Sequence, residues 1–150
     1  MKMLIMTAPY FYNTSERYEF KTLVSMAKEA GFQLRVAERK SNDNSQLSGC
    51  VDYLCINARH KADVDEAFKT GTVYVVNGMV NMISKGAVEL CTMDCSPIEK
   101  LAKIIGKTLS REEQIICALL SRKPDSNHKL RLLRATPDEI RSAMLRVNAA

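Results

Sequence analysis

The sequence predicts an α/β fold in which a doubly wound parallel five-stranded sheet over residues 1–107 precedes a small all-α module over residues 108–150. Three observations support this prediction. Short apolar segments alternate with helical patterns through the first part, as in parallel sheets with crossover helices. Gly31 and Gly71 follow two of the predicted helices, where glycine commonly ends a helix. Beyond Leu109 only helical patterns remain.

The first 107 residues contain five predicted strands and four predicted helices. The strands are Met3–Met6, Leu34–Ala37, Val51–Ile56, Val73–Val76 and Ala87–Thr92. The helices cover residues 15–30, 62–69, 79–85 and 96–106. Ser96 and Pro97 open the last of these helices as an N-cap and a first-turn proline. The polar segment 38–50 predicts a loop.

The segment from Leu109 to Val147 predicts three short helices. The first begins after Ser110 with acidic residues in its first turn, and its apolar stripe is Ile115, Ile116, Leu119 and Leu120. Residues 124–127 break the pattern, and Leu130 and Leu133 mark a second helix. This spacing is typical of a helix-turn-helix, a motif that places its last helix in the DNA major groove.

The third helix is the candidate recognition helix. Thr136 and Glu139 have the spacing of a capping box, with Pro137 at the first helical position. We expect Ile140 and Met144 to face the core. The predicted DNA-binding residues belong to the second and third helices and the turn between them: Lys129, Arg131, Arg134, Thr136, Asp138, Glu139, Arg141, Ser142, Leu145 and Arg146.

Charge agrees with an anionic partner but does not require one. The chain has a net charge of +5, and seven basic residues stand against three acidic ones from Arg122 to the end. Such a segment supplies phosphate contacts and non-specific affinity for nucleic acid. A solvated helical appendage would show the same charge, so the capping box and the short turn are what favour DNA binding.

Three strings in this order resemble response regulators, in which a receiver domain precedes a NarL-type (LuxR-like) helix-turn-helix. They are VDYLCIN at 51–57, KGAVELCTMDCSPIEKLAKII at 85–105 and LSREEQIICALL at 109–120. The resemblance covers nearly the whole chain. It implies a flavodoxin-like, receiver-like sheet, a domain boundary at residues 107–108, and a cytoplasmic transcription regulator that binds double-stranded DNA.

The phosphorylation site of that family is degenerate here. The family uses an acidic pair to hold Mg²⁺, an aspartate nucleophile, a hydroxyl residue and a lysine. The positions that match them are Thr7, Ala8, Asn57, Asn77 and Met93. An amide is a poor nucleophile, and a hard cation lacks its carboxylate ligands. We therefore expect a phosphorylation-independent pseudo-receiver that binds no metal or cofactor and is not an enzyme.

The chain is expected to form a homodimer or a heterodimer. The resemblance places the contact within residues 79–105, whose charged candidates are Lys85, Glu99, Lys100 and Lys103.

Two other functions remain open. The alternative to a regulator is a co-regulator that heterodimerises with an intact response regulator and binds little DNA alone. A flavodoxin-like enzyme would have to use Thr7, Tyr10, Asn57, His60 and Asn77, and no clear acid orients His60.

Composition excludes several other classes. No apolar run approaches the ~20 residues that span a bilayer, and the start is too weakly apolar for a signal peptide. No glycine-rich phosphate loop follows a strand. The five cysteines form no C-x-x-C pair. Cys91 and Cys95 could form a metal-binding or redox-sensing pair, but Cys55 and Cys91 fall inside strand patterns, where a small buried side chain is the commoner role.

Overall fold

A computed structural model describes residues 2–7, 14–37, 52–56, 71–76, 86–90, 96–121 and 125–149. In chain order the elements are β1 (Lys2–Thr7), α1 (Thr14–Glu29), β2 (Phe32–Ala37), β3 (Asp52–Ile56), β4 (Thr72–Val76), β5 (Val88–Glu89), α2 (Pro97–Ile105), α3 (Arg111–Leu120), α4 (Asp125–Leu132) and α5 (Pro137–Asn148). The predictions for β1 to β4, α1 and α2 are confirmed to within two residues at each end.

The strands form one parallel sheet in the order β2-β1-β3-β4-β5. β1 lies between β2 and β3 and pairs with both, so that Leu4 stands opposite Leu34 on one side and Leu54 on the other. Consecutive residues Tyr53 and Leu54 are both fully buried. Because successive side chains of a strand point to opposite faces, β3 is covered on both faces.

The predicted flavodoxin-like, doubly wound fold with a full five-stranded sheet is wrong. The chain is a mixed α/β protein with mostly helical content: its described residues form five helices, whereas the parallel sheet is small, with strands of two to six residues. β5 contributes only two residues where the sequence predicted a strand over 87–92. The helices predicted at 62–69 and 79–85, which the doubly wound fold needs, lie outside the described residues. Alternating apolar segments locate strands but do not fix how far each one pairs.

The chain divides into two compact units. One contains residues 1–10 and 24–91, and the other contains residues 11–23 and 92–150. The second unit therefore combines the first half of α1 with all four C-terminal helices. The predicted domain boundary between residues 107 and 108 stays a prediction.

The second unit has its own hydrophobic core. Ile115 and Ile116 of α3 meet Ala143 and Val147 of α5, and Tyr18 of α1 packs against this cluster. Partly buried side chains complete it: Leu119, Leu120, Leu130, Leu133 and Ala135. The predicted apolar stripe of α3 is thus confirmed as a core-forming face.

No helix among the described residues has the length and apolar character needed to cross a membrane.

Candidate nucleic-acid interface

Local capping fixes where α3 and α5 begin. Ser110 and Glu113 form a capping box at α3, and Thr136 and Glu139 form a second one at α5, which the sequence predicted. In the second box, the Glu139 amide donates to the Thr136 hydroxyl over 3.2 Å, and the Thr136 amide donates to the Glu139 carboxylate over 3.0 Å. Each box satisfies two backbone donors that a helix start leaves open.

One face of α5 is buried, and it includes only one of the two residues that the sequence predicted, Ile140 but not Met144. Ala143 is fully buried and Val147 nearly so, whereas Met144, expected to face the core, is 50% exposed. Ile140, Ala143 and Val147 recur at i, i+3 and i+7, and an alanine here lets α5 approach α3 closely. The prediction for Met144 was wrong because it favoured the larger apolar side chain over its small neighbour.

Arg111, at the start of α3, holds the turn between α4 and α5. Its Nε and Nη2 donate to the two carboxylate oxygens of Glu139 over 2.6 and 3.1 Å. Nη2 also donates to the carbonyls of Leu133 and Arg134, over 2.9 and 3.3 Å. Hydrogen bonds from Arg111 and from the Thr136 amide lower the pKa of Glu139 to about 2. A bidentate Arg–carboxylate pair fixes geometry better than a single contact does, so Arg111 sets the position of the α5 start relative to α3.

The turn itself contains a left-handed residue. Arg134 has φ 51°, and it is the one residue other than glycine with positive φ in the described part of the chain. The Ala135 amide donates to the Leu130 carbonyl, and the Arg134 amide donates to the Arg131 carbonyl. These two bonds define a Schellman motif at the end of α4.

Two of the predicted DNA-binding cations pair with acidic residues of other helices. The Arg146 guanidinium pairs with Glu112 of α3 at 3.0 Å, and this carboxylate raises the pKa of Arg146. Lys129 Nζ lies 3.7 Å from Glu99 of α2 and donates to the Ser121 hydroxyl over 3.1 Å. These contacts attach α5 to α3 and α4 to α2.

The outward face of α5 consists of other predicted residues. Its side chains are all exposed and lie on the side away from the core: Asp138, Arg141, Ser142 and Leu145. Arg141 Nη1 lies 3.6 Å from Asp138, but the two side chains are 74% and 92% exposed. An ion pair in this much water contributes little. Arg141 is therefore available for a ligand.

A groove of about 410 Å³ lies between α4 and α5, beside the outward face. Its lining residues are Asn127, Leu130, Arg131, Arg134, Ala135 and Ile140. Arg131 and Arg134 are both exposed, and neither forms an ion pair with another described residue. The predicted residues are thus of two kinds: Lys129, Thr136, Glu139 and Arg146 bind other parts of the protein, and the remaining six are exposed, on the outward face of α5 or in the groove between α4 and α5.

The predicted degenerate phosphorylation site lies almost entirely outside the described residues. This applies to Ala8, Asn57, Asn77 and Met93, and also to Tyr10, His60, Lys85, Cys91 and Cys95. Thr7 is the last residue of β1. Among the described residues, no group of three or more acidic, histidine or cysteine side chains is arranged to hold a metal ion.

No protein-family model, curated protein or solved structure matches this chain. The resemblance to response regulators therefore stays a prediction from the sequence.

Sequence reasoning missed two contributors to this unit. Arg111 acts on a turn more than twenty residues away, and only the acidic residues that follow it were considered. Tyr18 comes from a helix near the start of the chain.

The break predicted at residues 124–127 was too long, because Asp125, Ser126 and Asn127 already belong to α4.

Proposed function

We propose that this protein is a DNA-binding transcription regulator in which α5 contacts base edges in the major groove. One observation supports the proposal above others. α5 is fixed by Arg111, its capping box and its buried face, while the opposite side, from Asp138 to Leu145, remains exposed. A rigid helix with an exposed polar face suits direct base recognition.

The chemistry of the exposed residues favours a duplex. An arginine such as Arg141 can donate two hydrogen bonds to guanine O6 and N7, and an apolar side chain such as Leu145 can contact the thymine methyl group. Arg131 and Arg134 flank α5 and can bind backbone phosphates. The phosphorylation-independent pseudo-receiver and the cytoplasmic location are parts of this proposal that rest on the sequence alone.

The small number of unpaired cations among the described residues of α4 and α5 favours a dimer. With Lys129 and Arg146 paired to carboxylates, three arginines of this surface remain for the ligand: Arg131, Arg134 and Arg141. So few phosphate contacts give weak binding at physiological salt, and a two-fold partner would add a second half-site. α2 offers an exposed stripe for such contact, including Lys103 and Ile104. Glu99, another candidate there, pairs with Lys129 instead.

The test is selection from a random-sequence duplex library with the full chain, followed by mobility shifts at low and moderate salt. We expect a selected duplex to bind more tightly than unselected DNA. Arg141→Ala should reduce this difference, and Lys28→Gln, which removes an exposed charge from α1, should not. Duplex RNA serves as the matched competitor, because its deep, narrow major groove excludes a helix.

The co-regulator alternative gives a different result in the same assay. A chain that selects no DNA alone, but shifts DNA after an intact response regulator is added, would support heterodimerisation. Sedimentation of the full chain with Lys100→Glu and Lys103→Glu tests α2 as the contact, since charge reversal there should lower the fraction of dimer. Equal binding of duplex RNA and selected DNA would contradict both versions.

A further inference from the structure

Arg134 occupies a position where this protein otherwise uses glycine. α2 ends at Gly106 with φ 72°, and Gly31, two residues after the end of α1, has φ 93°. α4 ends in the same type of left-handed residue, but the residue is Arg134 with φ 51°. A Cβ in this conformation crowds the neighbouring carbonyl, so arginine is less favourable here than glycine or asparagine.

The strained residue is held in place by its surroundings. Both hydrogen bonds of the Schellman motif are present, and the Arg134 carbonyl accepts from Arg111 Nη2. The side chain takes no part in these contacts. It is exposed and lines the groove between α4 and α5 together with Arg131 and Asn127. Backbone strain that persists at one residue is a reason to look for a function of its side chain.

We propose that this groove binds a phosphodiester group of duplex DNA and that Arg134 is its principal ligand, with Arg131 as the second cation. The inference rests on the proposed function and adds to it the site where the DNA backbone is held. A planar guanidinium donates two parallel hydrogen bonds to a phosphate, which an ammonium group cannot do. The groove borders the start of α5, so a phosphate bound there would fix the register of that helix on the duplex.

Three substitutions at one position separate strain from charge. Arg134→Gly removes both, Arg134→Asn removes the charge and tolerates the left-handed conformation, and Arg134→Lys keeps both the charge and the strain. Lys28→Gln is the control for loss of one exposed positive charge elsewhere. Each full-length variant is measured by thermal unfolding and by fluorescence anisotropy with one random-sequence 20-base-pair duplex at several salt concentrations.

We expect Arg134→Gly to raise Tm by about 2–4 °C while weakening DNA binding. One lost phosphate contact should lower the magnitude of the salt slope by about one, or about five- to tenfold in affinity near 0.1 M salt. Arg134→Asn should weaken binding equally without lowering Tm. Arg134→Lys should keep the salt slope and the wild-type Tm, and Lys28→Gln should bind as the wild type does.

Each contrary result has its own meaning. If Arg134→Gly raises Tm but binds DNA with an unchanged slope, the groove is not a phosphate site, although the proposed function survives. A lower Tm for Arg134→Gly would show that the arginine stabilises the turn, which overturns the argument from strain. If the wild-type chain binds no duplex at any salt concentration, the proposed function fails and this site fails with it.

Discussion

Replacing Glu19 with glutamine should stabilise the protein above pH 7 and have little effect near pH 5. Glu19 lies on the part of α1 that belongs to the second compact unit. Burial is the main cause that raises its pKa to about 7; a 3.5 Å hydrogen bond from the Ser96 hydroxyl lowers the pKa, and the nearby Glu16 carboxylate raises it. Glutamine keeps an acceptor for Ser96 and cannot ionise.

The magnitude follows from proton linkage. The carboxyl pKa is 4.5 in its ordinary state and about 7 in the folded protein, so between these values the folded state binds more protons than the unfolded state. Stability therefore falls as pH rises through this window and levels off above pH 7. At 1.36 kcal/mol per pKa unit, the full effect is about 3 kcal/mol, of which about 2.5 kcal/mol appears between pH 5 and 8. This is an upper limit, because the side chain is only partly buried and water screens the rest.

The assay is urea unfolding of the full chain at pH 5, 6, 7 and 8 and constant ionic strength, monitored by circular dichroism. The free energy of unfolding of Glu19→Gln minus that of the wild type should grow from pH 5 to pH 7 and change little between pH 7 and pH 8. Lys28→Gln, at an exposed position in the last turn of the same helix, serves as the control for a change of charge on α1. Glu113 and Glu139 have lowered pKa values, so their titration falls below this window. Parallel curves for Glu19→Gln and the wild type would refute the reasoning.

Three further outcomes are expected. The wild type should bind a selected duplex about fourfold more tightly than the same duplex with uracil in place of the contacted thymine, because one methyl group is buried. Leu145→Ala should abolish this difference in affinity. Equal affinity of the wild type for both duplexes would contradict the prediction. Arg146→Ala should lower Tm, because it breaks the ion pair with Glu112, and leave the salt slope of DNA binding unchanged. Glu112→Gln should have the same effect. A salt slope reduced by about one in Arg146→Ala would instead make Arg146 a phosphate ligand. Acetyl phosphate with Mg²⁺ should add no phosphoryl mass, because Asn57 matches the position of the aspartate nucleophile. A hydroxylamine-labile adduct on Asp52 would show that the match to the family's nucleophile was assigned to the wrong residue.

The structure agrees with the sequence prediction where local chemistry decides. The capping box of Thr136 and Glu139 involves residues three apart, and its donors and acceptors are fixed by residue type. The Pro97 start of α2 and the Gly31 stop of α1 are local in the same sense. Such signals predicted the positions of most helices and strands. They do not determine how helices and strands assemble, and the prediction of a doubly wound fold was wrong for this reason.

Packing and long-range contacts could not be predicted in this way. Whether Ala143 or Met144 faces the core depends on how closely α5 approaches α3, and residue size alone suggested the wrong one. Arg111 was missed because an exposed arginine has many possible partners, and its four hydrogen bonds join segments distant in sequence. The left-handed conformation of Arg134 had no signal, since arginine at that position predicts a continuing helix.

The contacts of α5 explain why its exposed face is the best candidate for function. Two other sides of this helix are occupied: Ala143 and Val147 contact the core, and Glu139 and Arg146 bind Arg111 and Glu112 of α3. Tyr18, from residues 11–23, packs on the same core, so a fragment that begins at residue 108 lacks part of the packing that supports α5. Because these contacts fix the position of α5, Arg141 and Leu145 can contact a ligand without the entropy cost of ordering the helix on binding. A short helix needs this preorganisation for specific recognition.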